Sequence, residues 1–133
     1  MCENAARGNV FSNDPNVEMY RFSGSNTITE VAVYNTAEVA EVGSKLPNQL
    51  GLYDMTGNAQ EWTSSFWVRN YYATYKEAAA SGSTISKVLR GCRAQRGAEQ
   101  YFHNGSREAL NIDAFAAGKN NYSGFRFFDS NIE

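Results

Sequence analysis

The chain has 133 residues, 42% of them hydrophobic and 14% aromatic, which is enough for one globular domain with a buried core. Eight Tyr, eight Phe and two Trp favour a loop-rich α+β or β domain held together by aromatic packing. The sequence has no run of 18 apolar residues, and Met1 is not followed by a basic and then an apolar segment. We therefore expect neither a membrane span nor a signal peptide.

The formal net charge of −2 is unevenly distributed along the chain. Residues 90–126 carry six basic and three acidic side chains, a net charge of +3, whereas the remainder carries a net charge of −5. Basic residues interleaved with acidic ones do not form a nucleic-acid-binding stripe, so no nucleic-acid partner is expected. Cys2 and Cys92 lack the spacing of metal ligands or of a C-x-x-C redox pair. We expect free thiols, although two cysteines also permit one disulfide.

The predicted regular elements are short. Residues 2–7 have the composition of a helix end, with Gly8 and Asn9 as its stop signal. Hydrophobic alternation and turn residues predict the remaining elements. These are strands at 17–22, 31–34, 87–90 and 123–128, and an exposed connection at 76–84.

The stretch 47–62, P-N-Q-L-G-L-Y-D-M-T-G-N-A-Q-E-W, alternates apolar, acidic and glycine positions too closely for an ordinary helix or strand. Oxygen-bearing side chains are concentrated in it, at Asn48, Asp54, Asn58 and Glu61. Closely spaced oxygen ligands on an irregular backbone suit a hard cation such as calcium. The simpler interpretation of the spacing is a tight loop with Asx turns beside a buried Trp62.

Motifs for nucleophilic catalysis are absent from the sequence. His103 is the only histidine, and nothing near it resembles a nucleophile elbow. Neither a phosphate-binding G-x-x-x-x-G-K-[ST] loop nor H-E-x-x-H is present. Asp54 and Glu61 form a carboxylate pair in sequence only, and spacing alone does not identify a hydrolase.

Four motifs occur together: A-A-R-G at 5–8, the stretch 47–62, V-L-R-G at 88–91 and G-F-R at 124–126. Their order and spacing resemble the formylglycine-generating enzyme (sulfatase-modifying factor) family. The resemblance covers residues 1–128 and corresponds to the C-terminal half of that family's domain. It implies one domain over residues 1–133 that lacks the family's N-terminal half. The implied fold is α+β, a C-type lectin-like fold with short twisted antiparallel strands and much irregular loop.

The resemblance also implies a structural calcium ion in the stretch 47–62. The positions that match the family's ligands are Asp54 and Glu61, through their side chains, and Gly57 and Ala59, through their main-chain carbonyls. All four positions hold compatible residues, so the resemblance favours calcium over the simple loop, and the ion would add to folding stability. Gln60 stands where the family usually has an aromatic residue, which loosens the packing without removing a ligand.

The catalytic site of the family is not reproduced. Family enzymes oxidise a substrate cysteine to formylglycine with two active-site cysteines that hold copper. Counted from V-L-R-G, those positions fall near Arg96 and Tyr101, and neither these residues nor their neighbours are cysteine. Arg and Tyr cannot build a thiolate copper site, and Cys92 matches a family glycine. We therefore expect no copper and no catalytic residue.

The variable proteins of diversity-generating retroelements use the same scaffold and mutate their C-terminal segment to vary a binding surface. Segment 92–122 departs from the family pattern and mixes aromatic with adaptable polar side chains. The predicted ligand-facing residues are Arg93, Arg96, Gln100, Tyr101, Phe102, His103, Asn104, Asn120, Asn121 and Tyr122. The predicted function is a non-catalytic module that binds a protein or surface ligand. The alternatives are a formylglycine-generating-type oxidase and a purely structural domain, in which this segment is an ordinary divergent loop.

Overall fold

The computed structural model describes residues 2–8, 19–68, 71–80, 85–111 and 123–127. Its helices are α1 (Cys2–Ala6), α2 (Ile28–Val31) and α3 (Tyr75–Ala80), with a 3-10 turn at Glu99–Phe102. Its strands are β1 (Ala32–Val33), β2 (Thr56–Gly57), β3 (Gln60–Val68), β4 (Tyr71–Ala73), β5 (Ser86–Arg90), β6 (Glu108–Asn111) and β7 (Ser123–Gly124). Short elements joined by irregular segments confirm the predicted α+β class. None of the helices in these ranges is both long and apolar enough to cross a membrane.

Strand β3 is the centre of the larger sheet because it pairs with three other strands. It runs antiparallel to β4 and β5, and β5 continues antiparallel to β6. The first residues of β3 also pair in parallel with β7, with Glu61 opposite Gly124. Strands β1 and β2 form a separate parallel pair. The start of β3 therefore lies where the irregular stretch 47–59 meets both β5 and the C-terminal segment.

The main apolar cluster joins the segment around α2 to the loop that follows β5. Its buried members are Phe22, Ile28, Val31, Ala32, Cys92 and Phe102. Phe22 and Phe102 are 0% and 2% exposed, so both rings are fully buried in the cluster. A second, smaller cluster of Ala5, Ala6 and Met55 attaches α1 to the stretch 47–62.

Asn48 fixes the beginning of the stretch 47–62 with its side chain. Its Oδ1 accepts hydrogen bonds from the amides of Leu50 and Leu52 at 3.0 and 3.1 Å, which confirms the predicted Asx turn. Its Nδ2 donates to the carbonyl of Ala5 at 2.6 Å and to Ser23 Oγ at 3.0 Å. The turn is therefore tied to α1 and to the segment before α2.

Asn58 fixes the other end of the irregular stretch. It is buried, with a positive φ of 61°, and its amide donates to the carbonyl of Val33 at 2.9 Å. Its own carbonyl accepts from the amide of Ala94 at 2.8 Å. Its side chain binds the main chain of Ala40 through Oδ1 and Nδ2, at 2.9 and 3.2 Å. The positive φ is held by partners on three separate segments.

The predicted connection at 76–84 is wrong for residues 76–80, which belong to helix α3. Thr74 and Glu77 form a capping box before this helix. Thr74 donates to Glu77 Oε2 from its amide and its hydroxyl, both at 2.8 Å, and Glu77 N donates back to Thr74 Oγ1 at 3.4 Å. The Ala-rich composition favoured a linker, but the T-x-x-E pattern and alanine's helix propensity prevail. Residues 81–84 lie outside the described residues.

The strand predictions agree with the structure only in part. β1 confirms the strand predicted at 31–34 at residues 32–33 only, because Val31 ends helix α2, and β5 confirms the strand at 87–90. The strand predicted at 17–22 is wrong for residues 19–22: residues 19–20 are irregular, and residues 21–22 begin a bend over 21–24, where the Phe22 amide donates to the Ser25 carbonyl at 3.1 Å. Residues 17–18 lie outside the described residues. Of the strand predicted at 123–128, residues 123–127 are described, and among these only Ser123–Gly124 form a strand. Trp62 is half-buried, not buried as the simple-loop interpretation expected.

We expect the Gly57→Ala substitution to unfold the protein far more readily than Gly51→Ala. Both glycines have a positive φ, 78° and 73°, so alanine is strained at either position. A Cβ at Gly57 would also overlap the carbonyl oxygen of Val33, whereas one at Gly51 meets nothing within 4 Å. Urea denaturation should show that the free energy of unfolding falls by about 3 kcal/mol or more for Gly57→Ala and by about 1 kcal/mol for Gly51→Ala. Equal losses of unfolding free energy in the two variants would show that Gly57 does not pack tightly against Val33 of β1.

Candidate functional site

The predicted binding residues lie mainly on the loop that joins β5 to β6. Three of them, Asn120, Asn121 and Tyr122, lie outside the described residues. The remaining seven are Arg93, Arg96, Gln100, Tyr101, Phe102, His103 and Asn104. Antiparallel pairing of β5 with β6 fixes the two ends of this loop, so its central residues project from one end of the sheet.

These seven side chains divide into an exposed and a buried group. Gln100, Tyr101 and His103 are exposed, with Tyr101 at 43%. Phe102 belongs to the main apolar cluster, and the buried Asn104 donates from Nδ2 to the carbonyl of Tyr20 at 3.1 Å. Phe102 and Asn104 therefore support the loop from beneath, and their assignment to a ligand-facing surface is corrected.

The half-buried Arg93 and Arg96 lie beside the exposed group. The guanidinium carbon of Arg96 is 5.1 Å from the centre of the Tyr101 ring, within cation–π range. Its Nη2 also donates to Glu108 Oε1 at 2.7 Å. The fold thus brings together the two positions near which the resemblance places the family's cysteines. They carry a stacked Arg–Tyr pair, which offers no soft ligand for copper.

Sequence reasoning missed two residues of this surface, Arg107 and Glu108. Glu108 pairs with Arg96, and Arg107 stacks on Trp67 with 4.3 Å between its guanidinium carbon and the ring centre. Tyr101, Arg107 and Glu108 line one small cavity of about 20 Å³, roughly the room for one water molecule. The sequence analysis predicted no strand at 108–111. Without β6, it had no reason to place Glu108 opposite β5.

Cys92 lies beneath the surface as a buried free thiol. Burial raises the pKa of Cys92 to about 11, so the reactive thiolate is scarce at neutral pH. Its φ of 64° is unusual for a residue with a Cβ. The thiol packs among apolar side chains of the main cluster.

Two of the four candidate calcium residues, Asp54 and Glu61, contact the guanidinium of Arg126. Its Nε donates to Glu61 Oε1 at 2.6 Å, and its Nη1 and Nη2 donate to the main-chain carbonyls of Tyr53 and Asp54 at 2.9 and 3.2 Å. The Asp54 carboxylate accepts from the amide of Gly43 at 2.7 Å through Oδ2. One side chain from the C-terminal segment thus binds both ends of the expected ion site.

The electrostatics of this site centre on Glu61. Burial raises the pKa of the Glu61 carboxyl above its ordinary value, the hydrogen bond and charge of Arg126 oppose that rise, and the nearby charge of Asp54 adds to it. The two carboxylates are therefore close enough to interact, as the calcium prediction requires. Arg126 supplies the compensating positive charge.

The donor set does not fit a calcium ion while Arg126 holds this position. Calcium takes about six to eight oxygen ligands, and in the described part of the chain no three His, Cys, Asp or Glu side chains gather around one point. Gly57 is buried in β2, and Ala59 is half-buried in the link to β3. The guanidinium already engages the Glu61 carboxylate. Calcium bound by Asp54, Gly57, Ala59 and Glu61 stays a prediction.

Solved structures share this fold at low sequence identity. Treponema denticola variable protein 1 matches with a TM-score of 0.67 and 24% identity over 93% of this chain and 43% of that chain. CarF matches with a TM-score of 0.58 and 22% identity over 83% and 39%. PvdO from Pseudomonas aeruginosa matches with a TM-score of 0.55 and 24% identity over 83% and 44%.

The chain spans less than half the length of each of these three structures. No curated protein matches it. Residues 3–130 match the sulfatase-modifying factor enzyme 1-like domain, which covers nearly the whole chain, and the protein therefore belongs to that family.

Proposed function

We propose that this protein is a non-catalytic module that displays a variable ligand-binding surface on a formylglycine-generating-enzyme-type scaffold. The observation that carries the proposal is the Arg96–Tyr101 cation–π pair, which lies near the two positions where the resemblance implies the catalytic cysteines. Similarity in fold to a protein named variable protein 1 from Treponema denticola supports it. The proposed surface consists of Arg93, Arg96, Gln100, Tyr101, His103, Arg107 and Glu108.

The loop that carries this surface keeps its shape through main-chain contacts. The amides of Asn35 and Thr36 donate to the carbonyls of Arg96 and Ala94 at 2.8 and 3.0 Å. These hydrogen bonds do not depend on which side chains the loop presents. A surface whose backbone is held in this way tolerates many side-chain combinations, as a diversified binding module requires.

Buried Arg90 supports the same loop from within. Its Nη1 donates to the carbonyls of Asn104, at 3.2 Å, and Ser106, and its Nη2 donates to Glu3 Oε2 at 2.5 Å. The loop is thereby joined to α1, although Arg90 and Glu3 are 87 positions apart in the sequence. Between these anchored positions, Gln100, Tyr101 and His103 face outward, whereas Phe102 belongs to the main apolar cluster.

The composition of the surface favours a protein or cell-surface partner. Tyr101 supplies a rigid aromatic anchor, while Arg96 and His103 add polar contacts of the kind found at binding hot spots. The acidic Glu108 at the centre of this basic group disfavours a nucleic-acid phosphate backbone, because it places a negative charge where phosphate would approach.

Family membership favours one alternative, a formylglycine-generating-type oxidase. That chemistry needs a pair of reactive thiols. The described thiol, Cys92, is buried among apolar side chains with its pKa raised to about 11. The alternative therefore needs a second sulfur and a rearranged loop, whereas the binding module needs neither.

Incubation with a cysteine-containing sulfatase peptide should leave the peptide unchanged, with or without copper, because the surface holds Arg96 and Tyr101 instead of thiols. Mass spectrometry detects conversion of the cysteine to formylglycine. The Cys92→Ser variant is the matched control. Conversion by the original protein that disappears in this variant would establish the oxidase and refute the binding module.

We expect the DNA that encodes residues 92–122 to have a near-copy close to a reverse transcriptase gene, with differences concentrated at adenines. Mutation of only this segment would vary the exposed side chains and spare the buried framework. Genome sequencing of the flanking region detects such a copy and shows where it differs from the coding segment. The DNA for residues 19–50 serves as the control and should have no second copy. A complete genome without a near-copy of the 92–122 segment would contradict diversification.

The double variant Gln100→Ala with Tyr101→Ala should remain folded, whereas Phe102→Ala should be strongly destabilised. The first two side chains are exposed, and the lost Arg–Tyr stack is worth about 1 kcal/mol or less at the surface. Phe102 is buried in the main cluster, so its truncation should cost about 3–5 kcal/mol. Thermal melting of the three proteins decides the matter. A similar fall in melting temperature in both variants would mean that the side chains of Gln100 and Tyr101 belong to the core and cannot be replaced freely.

A further inference from the structure

We propose that Gln60 selects ligands that insert an uncharged hydrogen-bond donor, the N–H or O–H group of a partner protein's side chain, into the cavity lined by Tyr101, Arg107 and Glu108. The inference rests on the proposed ligand-binding function and adds the chemistry of the group that the surface accepts. Gln60 begins β3, at a position where the resemblance implies an aromatic residue. The feature therefore belongs to this chain and not to the family motif.

The side-chain amide of Gln60 is bound at one end only. Its Nε2 donates to Ser123 Oγ at 3.0 Å, across the parallel pairing of β3 with β7. Its Oε1 is buried without a hydrogen-bond partner among the described residues, and Gln60 as a whole is 5% exposed. A buried carbonyl oxygen that accepts no hydrogen bond has lost the bonds that water would give it. Gln60 Oε1 is therefore an acceptor that a ligand can satisfy.

The cavity beside this amide reaches the proposed binding surface. The buried Gln60 and Cys92 line it from within, and the exposed Tyr101 and half-buried Glu108 line it towards the solvent. Ser123, which binds Nε2, does not line the cavity, so Oε1 is the end of the Gln60 amide that is left to face it. The volume of about 20 Å³ has room for one water molecule or for one N–H or O–H group of similar size.

The charges around the cavity favour a neutral group. Arg90 and Arg107 both line it, so a cationic group would meet two guanidiniums. An anionic group would meet the Glu108 carboxylate and the carbonyl oxygen of Gln60. The Cys92 thiol adds no charge at neutral pH, because burial raises its pKa to about 11. Removing a charged group from water also costs more than removing a neutral one. A neutral donor avoids both repulsions and completes the hydrogen bond of Gln60.

The volume of the cavity also indicates the source of the donor. A sugar ring presents several hydroxyl groups at once, whereas this cavity accommodates one group. The side chains of asparagine, glutamine, serine and threonine each end in one such donor group. Tyr101 lines the cavity and is 43% exposed, so it can contact the rest of a partner's surface. A group without a donor would displace water from the cavity and lose its hydrogen bond, which lowers affinity and makes the site selective.

Titrations of the full chain with acetamide and with acetone, followed by NMR of the backbone amides, test the proposal. The two probes have the same shape and the same carbonyl group, but only acetamide donates N–H. The amide signals of Cys92, Tyr101 and Glu108 should shift saturably with acetamide. Acetone should bind about threefold to tenfold more weakly, as expected for the loss of one neutral hydrogen bond.

The Gln60→Met variant removes the acceptor and keeps a side chain of similar length. Its affinity for acetamide should fall to that for acetone. Ser123→Ala is the matched control, because it removes the partner of Nε2 and leaves Gln60 Oε1 in place, so it should keep the preference for acetamide. Thermal melting shows whether each variant is folded. If Gln60→Met does not fold, the preference of the original protein for acetamide over acetone decides.

Equal affinity of the original protein for the two probes would overturn the proposal, as would the lack of any saturable shift with acetamide. A preference for acetamide that persists in a folded Gln60→Met variant would show that another residue supplies the acceptor. Tighter binding of methyl glucoside than of acetamide would refute a protein side chain as the source of the donor. These outcomes concern the cavity at Gln60 alone. Conversion of the sulfatase peptide would instead refute the binding module itself, so the two failures are distinguishable.

Discussion

The structure depends on the main-chain hydrogen bonds made by Gly57 and Asn58. The Gly57 amide donates to the carbonyl of Gly91 at 2.6 Å, and Asn58 binds Val33 and Ala94 through its own amide and carbonyl. These bonds require positive φ angles at both residues, 78° and 61°. They join β1, the irregular stretch and the loop after β5 at one place. Because backbone groups buried here have no access to water, losing any one of them leaves an unsatisfied polar group.

This junction separates the framework from the proposed binding surface. On the framework side, Phe22 and Phe102 close the apolar cluster, and Arg90 is bonded to main-chain carbonyls. On the solvent side, Tyr101 and Arg96 contact each other and Glu108, and exposed contacts of this kind contribute little to stability. Side chains can therefore change on one side without a loss of folding on the other. That independence is the physical condition for a diversified surface.

The sequence predicted the features that local chemistry determines. The Asx turn at Asn48, the end of α1 before Gly8 and strand β5 follow from residue types and their spacing. The family motifs supplied the fold class, which composition alone had left between α+β and β. Burial could not be predicted in the same way. Phe102 stands in a polar segment, and only its contact with the distant Phe22 cluster shows that it is core. The role of Arg126 likewise requires the pairing of β7 with β3, a register that no local pattern encodes.

Two positions where the resemblance implies a metal bring an arginine against a carboxylate in this chain, and the two pairs differ in what else they bind. Arg96 reaches Glu108 and the Tyr101 ring with its side chain, so a replacement there changes the surface and little else. Arg126 also binds two main-chain carbonyls and so joins the C-terminal segment to the loop that precedes β3. A guanidinium is permanently charged and is encoded in the chain, whereas a bound ion depends on the metal concentration around the protein. The hydrogen bonds of Arg126 therefore hold the loop that precedes β3, while the surface at Arg96 is free to vary.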